Sequence, residues 1–298
     1  MKVVVFGATG TIGQPLVKEL AQEHEVTAIS RDEQPDEPSV VWAQADATDA
    51  DSVARVLAGA EAAYYLVHSL GATDFEERDL QAAETTAKAA EQAGVKQLVY
   101  LGGLGDESAD LSPHLRSRRE TGRRLASASV PVTTLRAAIV IGKDSAAFET
   151  IVSLVDRLPA MITPRWVSTR TQPIAVSDVV RYLVGVLERP DALGNVYEVG
   201  GPEVLKYSDM LRRVAAIKNR RLVIVPVPLL SPGLSGRWLG LVTDVDSRAG
   251  RSLVDSMTNE VIVSDDRIRS LVPFEPMGYD DAVRAALQEH ETAVRVPR

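Results

Sequence analysis

Three glycines at fixed offsets, Gly7, Gly10 and Gly13, follow the apolar run Val3-Val4-Val5-Phe6. They lead into a segment that carries Leu16, Val17 and Leu20 on one helical face. A strand feeding a glycine-rich turn into a helix N-terminus aims main-chain N–H groups and the positive end of the helix dipole at one point. The chemistry on offer is the grip of a linked diphosphate, as in a dinucleotide. Gly7 permits the tight turn, Gly10 lets the backbone approach the phosphates, and Gly13 lets the helix sit close to the strand. A second run, Glu25-Val26-Thr27-Ala28-Ile29-Ser30, closes a strand–helix–strand unit of roughly 30 residues, the context that separates a nucleotide cradle from an ordinary glycine turn.

The elements that must position this cradle alternate through the first half of the chain. Strands are expected at 40–44, 62–67, 97–101 and 132–136. Helices are expected around Val53, Val56 and Leu57, over 75–93 with Gly94 as its stop, and over 115–128. Near-continuous apolar strands between helices imply an α/β protein with a doubly wound parallel sheet, the Rossmann fold. The second half is less regular. Phe148, Ile151, Val152 and Val155 mark a helix, 172–176 a strand, Val179 to Leu187 a helix and 195–199 another strand. The stretch 222–232 is apolar and proline-rich, helices and loops with little pattern are expected up to Met257, and a closing helix starts at Tyr279. We therefore expect residues 1–142 to form the nucleotide-binding core, completed by 172–200. Residues 143–171 and 201–298 are expected to form a smaller, irregular substrate-binding or lid part.

Composition narrows the function. The 298 residues carry a net charge of −8, which argues against a broad nucleic-acid surface, and no cysteine, which excludes disulfides, thiolate catalysis and cysteine-based metal centres. Four scattered histidines argue against a metal site. Residues 1–6 read as the first strand rather than a signal peptide, and no apolar run is long enough to span a membrane, so a cytoplasmic location is expected. The expected partner is a small-molecule substrate, with no nucleic acid and no membrane. The long helix 75–93 offers a face for a homodimer.

The spacing Gly7-x-x-Gly10-x-x-Gly13, Asp46 at the end of the third strand, the segment from Gln172 to Val179, and Asn195-Val196-Tyr197-Glu198-Val199-Gly200-Gly201-Pro202-Glu203 together resemble an extended or atypical short-chain dehydrogenase/reductase. Within that superfamily the chain is similar to the NmrA-like NAD(P)H-binding group. Leu66-Val67-His68-Ser69-Leu70 and Thr163-Pro164-Arg165-Trp166-Val167 resemble a bacterial branch of oxidoreductases in it. The resemblance covers most of the chain.

The resemblance implies a cofactor site. Thr9, Gly10, Thr11 and Ile12 lie along the pyrophosphate. Asp46 meets the adenine edge with Ala47 beside it. Leu66, Val67 and His68 flank the nicotinamide ribose, Leu101, Gly102 and Gly103 stand beside the nicotinamide, and Ala137 and Ala138 line the pocket floor. The second strand ends in Ser30-Arg31, where an acidic residue would bind the ribose hydroxyls and a basic one a 2′-phosphate, so NADP(H) is expected over NAD(H).

Active relatives use a Ser after the fifth strand and a Tyr-x-x-x-Lys on the next helix. Here the strand runs Tyr100-Leu101-Gly102-Gly103, with glycine at the serine position, and the helix reads Pro113-His114-Leu115-Arg116-Ser117-Arg118. His114 and Arg118 thus replace the tyrosine and the lysine, four residues apart on one helical face. An imidazole with its ordinary pKa near ~6.5 exchanges protons at neutral pH. Arg118 stays protonated, is suited to ribose or phosphate, and pushes His114 toward its neutral form. Phe148, Met161, Trp166 and Tyr207 read first as core and second as an apolar substrate wall. Arg165 and Arg170 are candidates for an acid group. Two functions follow: an NADP(H)-dependent oxidoreductase passing hydride to a small carbonyl or an activated double bond, or a non-catalytic NADP(H) redox sensor that regulates a protein partner. Epimerase chemistry on tightly held NAD is disfavoured by Arg31.

Overall fold

Strand β1 (Lys2–Phe6) stands at the centre of the main sheet because both its faces are apolar: Val3 and Val5 pack on one side, Val4 and Phe6 on the other. The computed structural model describes residues 1–35, 37–69, 74–106, 110–163, 165–226 and 255–295. Its sheet adds β2 (Glu25–Ser30), β3 (Val40–Gln44), β4 (Ala62–Tyr65), β5 (Gln97–Gly103), β6 (Val132–Ala137) and the strand Val196–Val199. The order is Val196–Val199, β6, β5, β4, β1, β2, β3, and every neighbouring pair is parallel. The strand order reverses between β1 and β4, which opens a crevice at the carboxyl ends of these strands. The doubly wound parallel sheet expected from the sequence is the observed fold.

Helices α1 (Gly13–Leu20) and α6 (Val176–Gly185) cover one face. Helices α2 (Ala50–Leu57), α3 (Phe75–Ala93) and α4 (Pro113–Leu125) cover the other, with α3 packed between α2 and α4. A separate core joins α5 (Ala146–Arg157), α7 (Tyr207–Ile217) and the helix Tyr279–Arg295. Phe148, Met161 and Trp166 are buried there.

Several boundaries differ from the expected ones for local reasons. Helix α4 starts two residues earlier and stops earlier than 115–128, because Ser112 caps it by accepting the Leu115 N–H and Pro113 fills its first turn. The expected strand 172–176 shrinks to Ile174–Ala175, paired with Val140–Ile141. Gln172 is spent instead on bridging: its amide donates to the Gly201 carbonyl and its carbonyl accepts from Val263 N–H. From the stretch 222–232, Val223–Pro226 pairs in parallel with Ala160–Thr163. The expectation for 227–254 lies outside the described residues.

Candidate active site

The glycine turn is built as its spacing demands. Gly7 has φ +79°, and a Cβ there would lie 2.9 Å from the Leu66 carbonyl group. A Cβ on Gly13 would lie 2.2 Å from the Gly7 oxygen, so α1 is seated on the turn itself. A Cβ on Gly10 would meet only that oxygen, at 3.4 Å, and would otherwise fill open space in front of the turn. No side chain caps α1. The Gln14 and Leu16 amides bond back to the Gly10 and Ile12 carbonyls and Pro15 has none, so the amides of Thr11, Ile12 and Gly13 are the ones left for an anion, and the cradle fits a dinucleotide diphosphate.

Two adjoining cavities share Gly7, Gly10, Leu66 and His68 and form one cleft along the sheet edge. The first, about 620 Å³, is bounded by the ends of β1, β2 and β3. In it the Arg31 main chain is fixed by the Gln44 side chain, which donates to the Arg31 carbonyl at 2.7 Å. Asp46 accepts from the Thr48 amide at 2.9 Å and the Thr48 hydroxyl at 2.8 Å. Those bonds, aided by the Arg31 and Arg78 charges, hold its carboxyl below the usual range. Helix α2 is capped by Asp49, which leaves Asp46 facing the cleft.

The second cavity, about 350 Å³, lies over the ends of β4, β5 and β6. Arg118 is buried beside it and donates to the carbonyls of Val67, at 3.1 Å, and of Leu101. Its guanidinium ties the ends of β4 and β5 together, rather than reaching out for a ribose. Tyr100 lies beneath, 5.0 Å from the guanidinium to the ring centroid, and donates its hydroxyl to the Arg118 carbonyl at 2.7 Å. A Cβ on Gly102 would come within 3.0 Å of that ring, so a serine here would press on Tyr100.

His114 stands on the first turn of α4 and lines the same cavity. Burial, with the His68 ring and the Arg118 charge adding to it and Asp79 opposing, pushes its imidazole down to about 3. The push toward the neutral form expected from Arg118 is present, and burial, the larger cause, is the part the sequence did not show: His114 is neutral at pH 7. His68 is also lowered by burial, against the pull of its partner Asp79. His68 Nδ1 lies 2.9 Å from Asp79 Oδ2, and the Ser69 N–H donates to Asp79 Oδ1 at 2.9 Å. Burial alone would raise the Asp79 carboxyl; the His68 contact, the Arg118 charge and the Ser69 amide outweigh it and keep the group ionised. The two imidazole rings are tilted, with centroids 4.9 Å apart.

Every residue that the sequence suggested for cofactor or chemistry lines one of the two cavities. Of the four apolar candidates only Tyr207 reaches the cleft. Arg170 is paired with Glu260 at 2.8 Å and stays out of it. Arg165 falls in the short helix Arg165–Ser168. Three features were missed. Arg78 lines the larger cavity and Asp79 backs the smaller one; the readable signal was a charged pair at the start of an alanine-rich helix, with Asp79 in register with the buried Ala82, Ala83 and Thr86. The third is the segment around Ser256, Met257 and Val261, which closes over the smaller cavity. Ser256 meets Ser112 across 3.0 Å, and Asn259 accepts the Ser112 N–H at 3.1 Å, so this distant segment is docked on the α4 cap.

Among known proteins, a family model described as NAD(P)H-binding matches residues 7–156. The mitochondrial NADH dehydrogenase (ubiquinone) 1 alpha subcomplex subunit 9 of Arabidopsis thaliana is 25% identical over 315 residues, spanning 92% of this chain and 75% of the relative. A nucleoside-diphosphate-sugar epimerase from Staphylococcus aureus superposes with a TM-score of 0.79 at 16% identity, over 95% of this chain and 100% of that one. A short-chain dehydrogenase/reductase superfamily protein from Agrobacterium tumefaciens with bound NAD gives 0.72 at 16% identity, over 99% of each chain. Both structural likenesses are likenesses of fold.

Proposed function

We propose, for a chain that belongs to the NAD(P)H-binding family, that it is an oxidoreductase using NADP(H) to reduce a small, apolar carbonyl compound or an activated double bond. The observation that carries this reading is the 350 Å³ cavity beyond the glycine turn, with His114 in its wall. Leu101, Gly102, Gly103, Ala137 and Ala138 line the same cavity, so the nicotinamide would share it with the substrate. The cradle of Gly7, Gly10 and Gly13 and the α1 N-terminus would hold the diphosphate, and Asp46 and Ala47 the adenine. Arg31 and Arg78 would meet a 2′-phosphate. When bound, the nicotinamide supplies or takes a hydride at the substrate carbon.

The chain's own part is to orient the substrate, exclude water and manage one proton. Leu104, Leu115, Ile139, Met257 and Val261 line the chamber and favour an apolar substrate. His114 faces the substrate oxygen, and the buried Arg118 charge favours negative charge developing there. The proposed setting is the cytoplasm; no helix among the described residues is long and apolar enough to cross a membrane.

The second reading is an NADP(H) sensor acting on a protein partner. Glycine at position 102, where a serine is expected, favours it, and so does likeness to a protein named as a subunit of a larger assembly. One experiment separates the two. Purified protein is mixed with NADPH and a panel of quinones, enones and aldehydes, and the absorbance of the reduced nicotinamide is followed. Turnover that His114→Ala lowers by about 100-fold or more, the usual scale for acid–base groups, is the expected result. Tight NADPH binding with no turnover on any compound selects the sensor.

A further inference from the structure

We infer that Asp79, His68 and His114 form a proton relay at the end of the cleft beyond the glycine turn, running from a buried carboxylate through two imidazoles to the substrate oxygen. The inference rests on the oxidoreductase reading above and adds two residues to it.

The relay follows from where protons must sit. Asp79 lies on the buried face of α3 with Ala82, Ala83 and Thr86 and is 1% exposed. An ionised carboxylate only accepts hydrogen bonds, so the His68 proton is on Nδ1 and the lone pair on Nε2. That Nε2 is buried without a hydrogen-bond partner, and so is Nδ1 of His114 on the neighbouring ring. The ring centroids are 4.9 Å apart, so a turn of either ring that brings a His114 Nδ1 proton onto His68 Nε2 serves both orphaned nitrogens. It leaves the Nε2 lone pair of His114 for the cavity which that residue lines.

Charge placement gives the relay its direction. His114 stands at the positive end of α4 with Arg118 one turn on, and both oppose an imidazolium there. His68 stands against the Asp79 carboxylate. The groups that face the pair are Asp79 from α3 and Arg118 from α4, so an added proton rests best on His68.

In the oxidising direction the substrate hydroxyl gives its proton to His114 Nε2, and the His114 Nδ1 proton passes to His68 Nε2. The substrate carbon loses hydride to the oxidised nicotinamide, and the charge ends as a His68 imidazolium beside Asp79. The reducing direction starts from the state with a His68 imidazolium, its added proton taken from water, and the His114 proton on Nε2; there the carbonyl carbon gains hydride from the reduced nicotinamide and its oxygen gains that Nε2 proton. His114 is refilled from His68, and water restores the proton once product leaves. Asp79 is thereby a positioning residue: it fixes the His68 tautomer and never touches substrate.

The test reads tautomers as well as turnover. In protein labelled with 15N-histidine, His68 is expected to show a protonated Nδ1 and a bare Nε2. In Asp79→Asn that pattern is lost, the His114 signals move with it, and NADPH affinity by calorimetry stays at the wild-type value. A His68 protonated on Nε2 in the wild type, or a tautomer indifferent to Asp79→Asn, overturns the relay. Acid titration of the unmodified protein needs no variant: His68 is expected to take the added proton first, and His114 doing so first overturns the relay. A wild-type protein that binds no pyridine nucleotide in the same calorimeter overturns the oxidoreductase reading instead.

Discussion

The two ends of the cleft are made of different material. At the glycine end the grip consists of main chain: a turn that only glycine fits at Gly7 and Gly13, and a helix start that no side chain caps. At the His114 end the wall consists of side chains brought from the end of β4, α3, α4 and the segment near Met257. A main-chain site depends on backbone conformation, which neighbours in sequence dictate. A side-chain site depends on packing between distant segments. The first kind tolerates little change of residue and yields one chemistry, whereas the second can be rebuilt within one fold.

The largest effect expected from this contrast is at the glycine end. Gly10→Ala places a methyl group in ordinary contact with the Gly7 oxygen, so the fold is kept, but it fills the approach to the turn. Overpacking of this kind costs about 1–3 kcal/mol, so NADPH affinity should fall by about 5- to 150-fold with circular dichroism unchanged. Undiminished affinity would mean that the diphosphate does not lie on this turn. Gly13→Ala, whose Cβ would sit 2.2 Å from a backbone oxygen, should lose the fold of the first unit as well.

This difference in material also explains what was legible in the sequence. The spacing of Gly7, Gly10 and Gly13, the β-branched runs and the stop at Gly94 are local signals, and the sheet they imply is the one observed. Arg31 and Asp46 were readable because strand ends are. Asp79 was not, because its partner His68 is eleven residues away and the two meet only once α3 packs against the end of β4. The closing segment near Met257 was illegible for the same reason: Ser256 meets Ser112 across 144 positions. The neutral state of His114 follows from burial, which the i, i+4 pair with Arg118 did not reveal.

The His114 end should also carry the acid sensitivity of the fold. His114 is held down at about 3 and His68 below its ordinary value, while the unfolded chain protonates both near ~6.5. The unfolded state therefore binds more protons below that pH. Stability is fully present above about 6.5 and is lost as pH falls toward 3, on the order of a few kcal/mol. Asp79, whose folded value is lowered, adds to the loss at the acid end of the range. Urea midpoints across pH 7 to 4 should fall steeply in the wild type and more gently in His114→Gln. Parallel curves would show that His114 is solvated rather than buried.

The smallest effect, and the sharpest for cofactor choice, belongs to the two arginines of the larger cavity. Both carry charge toward Asp46, yet Arg31 is exposed and Arg78 is half-buried at the start of α3. A hydrogen bond to a charged group contributes about 1.5–3 kcal/mol when shielded and less in open solvent. Arg78→Ala should therefore weaken NADPH by about 10- to 100-fold, and Arg31→Ala by about tenfold or less. NADH affinity should move in neither variant. Raising the salt concentration should erase the Arg31 contribution before the Arg78 one, because screening acts first on the exposed charge. Calorimetry with both nucleotides at two ionic strengths checks the set. Equal losses for NADPH and NADH would mean that these guanidiniums do not meet a 2′-phosphate, and the preference for NADP(H) would fall while the diphosphate cradle stood.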